Sequence, residues 1–460
     1  MYGDPDAVPL THLGLYALQH RGQESAGIVS TNGEQLLRYA GLGLVNQVFD
    51  KRNLEAIRGR VAIGHVRYST TGSCTSDNAQ PLMFGFAGGQ VAIAHNGNLI
   101  NAALLRQKYE REGHIFQTTS DTEIIIHLLA KPAHQAMDTP LVHVLNHLQG
   151  AYSLVMLFPD RMVAVRDPLG FRPLCIGETK GGAVVVASET KALDMIDATY
   201  VRDVEPGEIV TITDEGMTSR HFGGDNSARG AQCIFEQIYF ADPSSKVFGQ
   251  NVHLVRVAMG RKLALEAPVE ADLVVPIPTC AQCAAIGYAE QSGLPQGRAF
   301  TTSHYVGRSF ILPTQSGRDM AVKMKLSVIK EAVRGKRLIV VEDSVVRGTT
   351  TRGKIGALRK AGATEIHLRV ASPPIRNPCY FGIDFPDPKR LIATGRTVEE
   401  IGEYLEVDSL YYLSHEGMLS CVDMPPERYC TACFSGDYPM NVDEPVDKFA
   451  LERSQLRMFP

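Results

Sequence analysis

Short apolar runs punctuate the first half of the chain. Val61-Ala62-Ile63, Val91-Ala92-Ile93-Ala94, Tyr152 to Phe158, Met162 to Val165 and Ala183 to Ala187 read as strands. Two stretches carry helical spacing instead. Leu10, Leu13, Ala17 and Leu18 recur on one helical face. Ser120-Asp121-Thr122-Glu123 precedes Ile124-Ile125-Ile126, with Leu128 and Leu129 beyond. Ser followed three residues later by Glu predicts a capping box and a helix start there. Many strands with few helices predict layered antiparallel sheets.

The pattern changes at the polar, Gly-rich segment Gly223-Gly224-Asp225-Asn226-Ser227-Ala228-Arg229-Gly230, which reads as a boundary between residues 1–230 and 231–460. Beyond it strands and helices alternate. Leu273 to Ile277 is an expected strand and Ala284 to Gln291 a helix, with Gly293 at its C-cap. Leu338 to Val341 is a strand, Thr351 to Ala361 a helix closed by Gly362, and Ile366 to Val370 the next strand. Such alternation predicts a parallel sheet with right-handed crossovers.

The fold class expected is therefore α/β, in two or more domains for 460 residues. Apolar residues are 44% and charged residues 21%, so a large core is available without disulfides. Lys+Arg 46 against Asp+Glu 50 gives −4, with no block of like charge. That argues against nucleic acid or an anionic membrane surface as the main partner. The polar start at Met1-Tyr2-Gly3-Asp4 does not read as a signal peptide, and no run of ~18 apolar residues predicts a membrane helix. A cytoplasmic protein is expected, and its nine cysteines read as thiols, metal ligands or nucleophiles.

The string Leu338-Ile339-Val340-Val341-Glu342-Asp343-Ser344-Val345-Val346-Arg347-Gly348-Thr349-Thr350-Thr351-Arg352 carries the most chemistry. A buried strand ends in two carboxylates, and Gly348 permits close backbone approach at a helix start rich in threonine. Free N–H groups there attract phosphate, and the carboxylates suit sugar hydroxyls or Mg2+. A bare acidic pair would be an ordinary turn. The whole run resembles the phosphoribosyl pyrophosphate (PRPP) loop of type I phosphoribosyltransferases. The resemblance implies that Glu342 and Asp343 face the ribose hydroxyls and metal, while Ser344, Arg347, Gly348, Thr349, Thr350 and Thr351 cradle the 5′-phosphate. It also implies that Tyr305 to Ile311 and Val322 to Leu326 belong to a loop over PRPP, with Arg308 and Lys323 as cations for departing pyrophosphate.

In the N-terminal half, His20-Arg21-Gly22-Gln23-Glu24-Ser25-Ala26-Gly27, His65-Val66-Arg67-Tyr68-Ser69-Thr70, His95-Asn96-Gly97-Asn98 and Ser120-Asp121-Thr122-Glu123 are similar to N-terminal-nucleophile glutamine amidotransferases. Arg67 can grip a carboxylate bidentately and Asp121 can pair with an ammonium. The Asn96 side chain and the Gly97 N–H can form an oxyanion hole; Asn-Gly alone would read as a hairpin turn. His20 and His65 read as structural, since this class uses the nucleophile's own α-amine as base. Relatives begin with Cys-Gly-[Ile/Val]-Phe-Gly, whereas no cysteine here precedes Cys74. Either the natural start lies upstream of Met1, which the retained glutamine-site residues favour, or glutaminase activity is lacking. As written, the chain is expected to use ammonia. Thr279 and Cys280 stand where relatives carry an acidic residue and serine, and Thr302-Ser303 where they carry a basic residue and Asn; both changes touch pyrophosphate and metal binding.

Cys430-Thr431-Ala432-Cys433 alone is ambiguous. With Cys233 and Cys379 in matching contexts, it resembles the [4Fe–4S] ligand set of one subclass of relatives, zinc being the alternative for four thiolates. Cys280-x-x-Cys283 lacks a second pair and reads as a decoy. Taken in order, the motifs resemble the amidophosphoribosyltransferase family. The resemblance implies an αββα sandwich followed by a phosphoribosyltransferase domain, in a homo-oligomer inhibited by purine nucleotides. It implies formation of 5-phosphoribosylamine, diphosphate and glutamate from PRPP, glutamine and water, in the first step of purine synthesis. The missing cysteine and the changes near 279 and 302 leave a non-catalytic, PRPP-binding regulator as the alternative.

Overall fold

A computed structural model describes residues 1–69, 72–224, 230–302, 326–385, 387–442 and 450–452. Helix α1 (Ala7–Ala17) realises the helical spacing near the start. Strands β1 (Ser25–Thr31) and β2 (Leu36–Leu42) form a hairpin, and short helices α2 (Val45–Val48) and α3 (Lys51–Ala56) lead to β3 (Val61–Arg67) on the other edge of β1. A second hairpin, β4 (Leu82–Phe86) and β5 (Gly89–Leu99), precedes helices α4 (Ala102–Arg111), α5 (Glu123–Ala130), α6 (Pro132–Gln135) and α7 (Pro140–Leu145). Strands β6 (Gly150–Leu157), β7 (Met162–Arg166), β8 (Cys175–Glu178) and β9 (Val184–Ala187) follow. Helix α8 (Thr190–Met195) and strands β10 (Thr199–Asp203), β11 (Glu208–Thr213) and β12 (Gly216–His221) complete this half.

The strands form two antiparallel layers. One holds β2-β1-β3 and β10-β8-β9; the other has the order β12-β11-β7-β6-β5-β4. Three apolar clusters separate the layers. Leu15, Ala192 and Leu193 from α1 and α8 pack on the outer face of the first layer. Val29, Ile63, Ala92, Ala164 and Ile176 meet between the layers. Leu105, Ile125 and Val144 from α4, α5 and α7 cover the second layer. This is an αββα sandwich. Both faces of its central strands are covered, which is why β7 reads as a continuous apolar run rather than an alternating one, and why β1, with two serines, a glycine and a threonine among its seven residues, is buried throughout without reading as apolar.

Strand β13 (Gln232–Cys233) and one wide helical turn (Glu236–Phe240) open the second half. Two-residue strands β14 (Lys246–Val247) and β15 (Gln250–Asn251) precede α9 (Val252–Glu266), β16 (Leu273–Pro276) and α10 (Gln282–Ser292). Strands β17 (Phe300–Thr302) and β18 (Leu326–Val328) pair antiparallel. Then come α11 (Lys330–Val333), β19 (Arg337–Glu342), α12 (Thr349–Lys360), β20 (Glu365–Val370), α13 (Val398–Leu405), β21 (Ser409–Tyr412), α14 (His415–Leu419), β22 (Tyr429–Cys430) and α15 (Ala432–Ser435). Strands β16-β19-β20-β21 form the expected parallel sheet. Alternate residues of β19 serve its two faces: Ile339 and Val341 pack with α9 and α10, Leu338 and Val340 with α12 and α13.

One expectation needs correction. Helix α5 begins at Glu123, and Ser120 does not cap it. The Glu123 carboxylate accepts instead from the N–H groups of Gln117 and Thr118, at 2.8 and 2.7 Å, and from the Thr118 hydroxyl. Residues 120–122 are thereby left in a turn that aims Asp121 at the end of β5. Arg308 and Lys323 lie outside the described residues, as does Ser303.

Candidate active site

Strands β3 and β5 end side by side, and Arg67 and Asn96-Gly97 sit at those ends. Arg67 and Asp121 are both buried, and Asp121 Oδ2 accepts from the Leu99 N–H at 2.9 Å. Burial lowers the Arg67 pKa, while the charges of Glu24, Cys74 and Asp121 oppose that shift. A buried guanidinium and a buried carboxylate within electrostatic reach of each other suit the two ends of an amino acid. The Asn96 Nδ2 atom is buried without a hydrogen-bond partner, although the residue borders a cavity. A buried amide donor left unpaired costs ~1–3 kcal/mol, so a ligand oxygen there would recover that energy. Gly97 is required by space: a Cβ would lie 2.0 Å from the Ala151 carbonyl oxygen. His65 is pushed down to about 3 by burial and by the Arg67 and His95 charges, so it stays neutral and is no cationic base. His20 pairs with Glu189 at 2.8 Å, a structural contact.

Tyr2 bridges Val61 and Val184, and so joins the two three-stranded parts of the first layer. The Met1 amino group is buried and donates to the Ala62 carbonyl at 2.9 Å; burial pulls its pKa down to about 5. Beside it a slot of about 100 Å3 runs between β3 and β9 toward Asn96. The slot is lined by Met1, Gly64, Val186 and Ser188 among others.

In the other half, β19 delivers Glu342 and Asp343, both buried. Burial raises both carboxyl groups; Lys354 opposes the shift at Glu342, and their mutual repulsion adds to it. Lys354 Nζ lies 3.5 Å from Glu342 Oε2. The Thr351 hydroxyl donates to Glu342 at 3.5 Å, and the Ser344 hydroxyl to Asp343 at 2.7 Å. Two buried, adjacent carboxylates, with Lys354 beside Glu342 and the Arg256 charge felt at Asp343, suit a divalent cation or a diol. Gly348 caps α12 with φ 74, and a Cβ there would meet Ile392 at 2.4 Å. Arg347, Thr349 and Thr350 are exposed at the mouth of this loop.

The two constellations share one cavity of about 730 Å3. Arg67, Asn96, Gly97 and Asp121 line one end; Thr279, Cys280, Glu342 to Ser344 and Arg347 to Thr351 line the other. Between them stand residues that the sequence reasoning missed: Tyr68, Tyr239, Phe240, Asp384 and Lys354. For Lys354 a signal existed, since its helical spacing from Thr350 and Thr351 places it on the same face of α12. Burial, then the Asp343 charge, pushes Cys280 up to about 11, so it is a neutral thiol there. Cys283 Sγ meets His253 Nδ1 at 3.2 Å, and no metal-ligand group of three or more includes this pair among the described residues.

Cys233 and Cys430 are register partners in the parallel β13–β22 pair, and Cys433 follows in α15. Cys379 lies in the segment that crosses to the sandwich. There the Tyr380 carbonyl accepts from Asn98 Nδ2 at 2.9 Å, Phe381 stacks on Phe171 at 4.3 Å, and Gly382 abuts Gly97. The four thiols neighbour one another, and burial raises the pKa of each. Fully buried Arg172 stands beside Cys233, Cys379 and Cys430. It pairs with Glu236 at 2.9 Å, yet its Nε and both Nη atoms lack well-formed hydrogen bonds. No three of the four sulfurs lie within 4.8 Å of one another. A single tetrahedral zinc would hold them ~3.8 Å apart.

Fold and site together define a glutamine amidotransferase domain joined to a phosphoribosyltransferase fold. Comparison with known proteins agrees. A family model described as a glutamine amidotransferase domain matches residues 65–195. Amidophosphoribosyltransferase 1, chloroplastic, of Arabidopsis thaliana is 47% identical over 445 residues, 96% of this chain and 78% of that protein. The amidophosphoribosyltransferase of Bacillus subtilis is 45% identical over 447 residues, 96% of this chain and 93% of that one. Among solved structures, one described as the allosteric regulatory enzyme of purine biosynthesis matches with TM-score 0.91 and 45% identity, covering 97% of this chain and 96% of that chain. The B. subtilis glutamine PRPP amidotransferase complexed with ADP and GMP gives TM-score 0.90 and 44% identity, covering 97% and 98%. The chain belongs to the amidophosphoribosyltransferase family, whose members are glycosyltransferases. None of these relatives supports the non-catalytic alternative.

Proposed function

We infer that this protein catalyses the family reaction, transfer of nitrogen to C1 of PRPP in the first step of purine synthesis. The observation that carries the reading is the single cavity with an unpartnered oxyanion donor at one end and an acidic phosphate loop at the other. At the first end Arg67 and Asp121 would orient glutamine, and Asn96 with the Gly97 N–H would hold the oxyanion as the amide is hydrolysed to glutamate and ammonia. At the second, the N–H groups and hydroxyls of residues 347–351 would hold the 5′-phosphate, while Glu342 and Asp343 fix the ribose. Ammonia attacks C1, the C1–N bond forms, the C1–O bond to pyrophosphate breaks, and the ammonium loses a proton to solvent. Confinement in one cavity raises the local ammonia concentration at C1. Arg308 and Lys323 are proposed cations for the leaving pyrophosphate.

Glu342 and Asp343 also fit Mg2+, which would supply positive charge against the departing pyrophosphate. The four cysteines fit a [4Fe–4S] cluster better than zinc. Their spacing exceeds that of a one-ion site, and Arg172 offers unpaired N–H groups to an anionic cluster. Its place between β13, β22 and the 379–385 segment favours a structural role. A sandwich of residues 1–230, a transferase unit of 231–460, a cytoplasmic setting consistent with nine free cysteines, a homo-oligomer and inhibition by purine nucleotides complete the proposal.

Pyrophosphate release from PRPP and Mg2+ tests the reading. A polypeptide of these 460 residues has Cys74 and Cys175 as the cysteines of its sandwich half, and neither carries a free α-amine. Ammonium is therefore expected to support release and glutamine not. No release with either donor would reject the transferase assignment.

A further inference from the structure

Helices α6 and α7 lie in the outer helical layer, against α5 and away from the cavity. His134 lies in the short α6, while His143 and His147 stand one turn apart on and just after α7. Their rings form a triangle, with centroids 4.6 Å apart for His134–His143, 5.3 Å for His134–His147 and 4.7 Å for His143–His147. One ring nitrogen from each lies within 4.8 Å of the other two. Among the described residues this is the only group of three or more His, Cys, Asp or Glu side chains so arranged.

The hydrogen bonds set the tautomers. His134 Nδ1 is 2.9 Å from the Leu128 carbonyl, and His147 Nδ1 is 2.8 Å from the His143 carbonyl. A carbonyl only accepts, so both rings carry the proton on Nδ1 and leave the Nε2 lone pair free. A ring N–H donated to a backbone carbonyl is the arrangement that orients ligating histidines at metal sites. His134 is buried, His143 half-buried and His147 exposed, so the triangle opens to solvent on one side. Edge-on and tilted imidazole contacts alone gain little that would require three of them here.

We propose that His134, His143 and His147 bind one divalent transition-metal ion, Zn2+ by preference, leaving a fourth position for water. Three imidazole nitrogens suit Zn2+, Ni2+ or Cu2+ and do not suit Mg2+ or Ca2+, which take oxygen ligands. Tetrahedral Zn–N bonds of ~2.0 Å place neighbouring nitrogens ~3.3 Å apart, within reach of small side-chain rotations. The ion would fasten α6 to α7, two helices too short to hold their relative position alone.

The test is zinc stoichiometry. Chelator-stripped protein is titrated with Zn2+ against a chromophoric competitor, comparing the full chain with His147→Gln and Cys430→Ser. His147 is exposed, so its replacement leaves the fold intact, which circular dichroism checks. The wild-type chain is expected to bind one equivalent more than His147→Gln, and Cys430→Ser is expected to retain that equivalent. Cobalt loading of that site should give d–d absorption without sulfur-to-cobalt charge transfer. Equal stoichiometry in wild type and His147→Gln, or charge transfer from sulfur in the wild-type-minus-His147→Gln cobalt difference spectrum, would overturn the proposal.

Discussion

At the residue scale, two unsatisfied features carry the chemistry. The lone Nδ2 of Asn96 is kept at a cost in stability. Asn96→Ala is therefore expected to leave the protein as stable as wild type, or up to ~1 kcal/mol more so, whereas a purely structural asparagine would lose stability. Thermal or urea unfolding decides between them. The Glu342–Asp343 pair is the second feature. Its carboxyl groups rest above their usual range, Glu342 pushed up to about 8. On the proposed roles, Mg2+ and ribose hydroxyls would bind the ionised form, so Mg-PRPP affinity is expected to rise with pH until Glu342 is ionised in the free protein. Calorimetric titration across pH 6–9, and its flattening in Glu342→Gln, checks this. Both sites were legible as motifs. The burial that perturbs them was not, because it arises from tertiary packing between segments distant in the chain.

At the element scale, periodicity located the strands and helices that bury one face or two, since apolar placement is what burial demands. The α5 start was misread because the Glu123 carboxylate could reach two orphan N–H groups upstream at residues 117 and 118, a competition that spacing alone does not settle. Helix packing was equally hidden. A Cβ on Gly260 would lie 1.9 Å from the Ala284 carbonyl oxygen, and one on Gly287 1.9 Å from that of Val257. Helices α9 and α10 thus approach through two glycines behind β16. Gly287→Ala is expected to push them apart and destabilise the protein by ~1–3 kcal/mol. The same substitution at Gly353, where nothing lies within 4 Å of a Cβ, should raise stability through better helix propensity. A comparison of the two variants by unfolding separates crowding from propensity.

At the scale of the whole molecule, the sandwich and the sheet domain are joined by buried charge. Arg21 contacts Glu189 and Glu236, Arg172 contacts Glu236, and Glu189 accepts from the Ser245 hydroxyl and the Asp242 N–H. Burial alone would raise Glu189; Arg21 and His20 instead hold it well below the usual carboxylate range. A carboxylate depressed in the folded state contributes stability above its unfolded pKa of ~4.3 and loses it as pH falls. The advantage of wild type over Glu189→Gln is expected to be full at neutral pH and to vanish as pH is lowered below ~4, followed by thermal midpoints. Removing Glu236 leaves buried Arg172 without a carboxylate and Arg21 with Glu189 alone, so Glu236→Ala should cost ~3–5 kcal/mol. None of this network was legible in the sequence, because its members are scattered from position 20 to position 245. What the sequence did display was each half's own site.

The central claim is that two separable chemistries share one cavity. Ammonium-dependent pyrophosphate release, measured side by side for wild type, Asn96→Ala and Asp343→Asn, tests it most directly. Asn96→Ala should match wild type, since ammonia bypasses the oxyanion site. Asp343→Asn should fall by ~100-fold or more, with the loss in the transfer step. Full activity in Asp343→Asn, or loss of ammonium use in Asn96→Ala, would contradict the account.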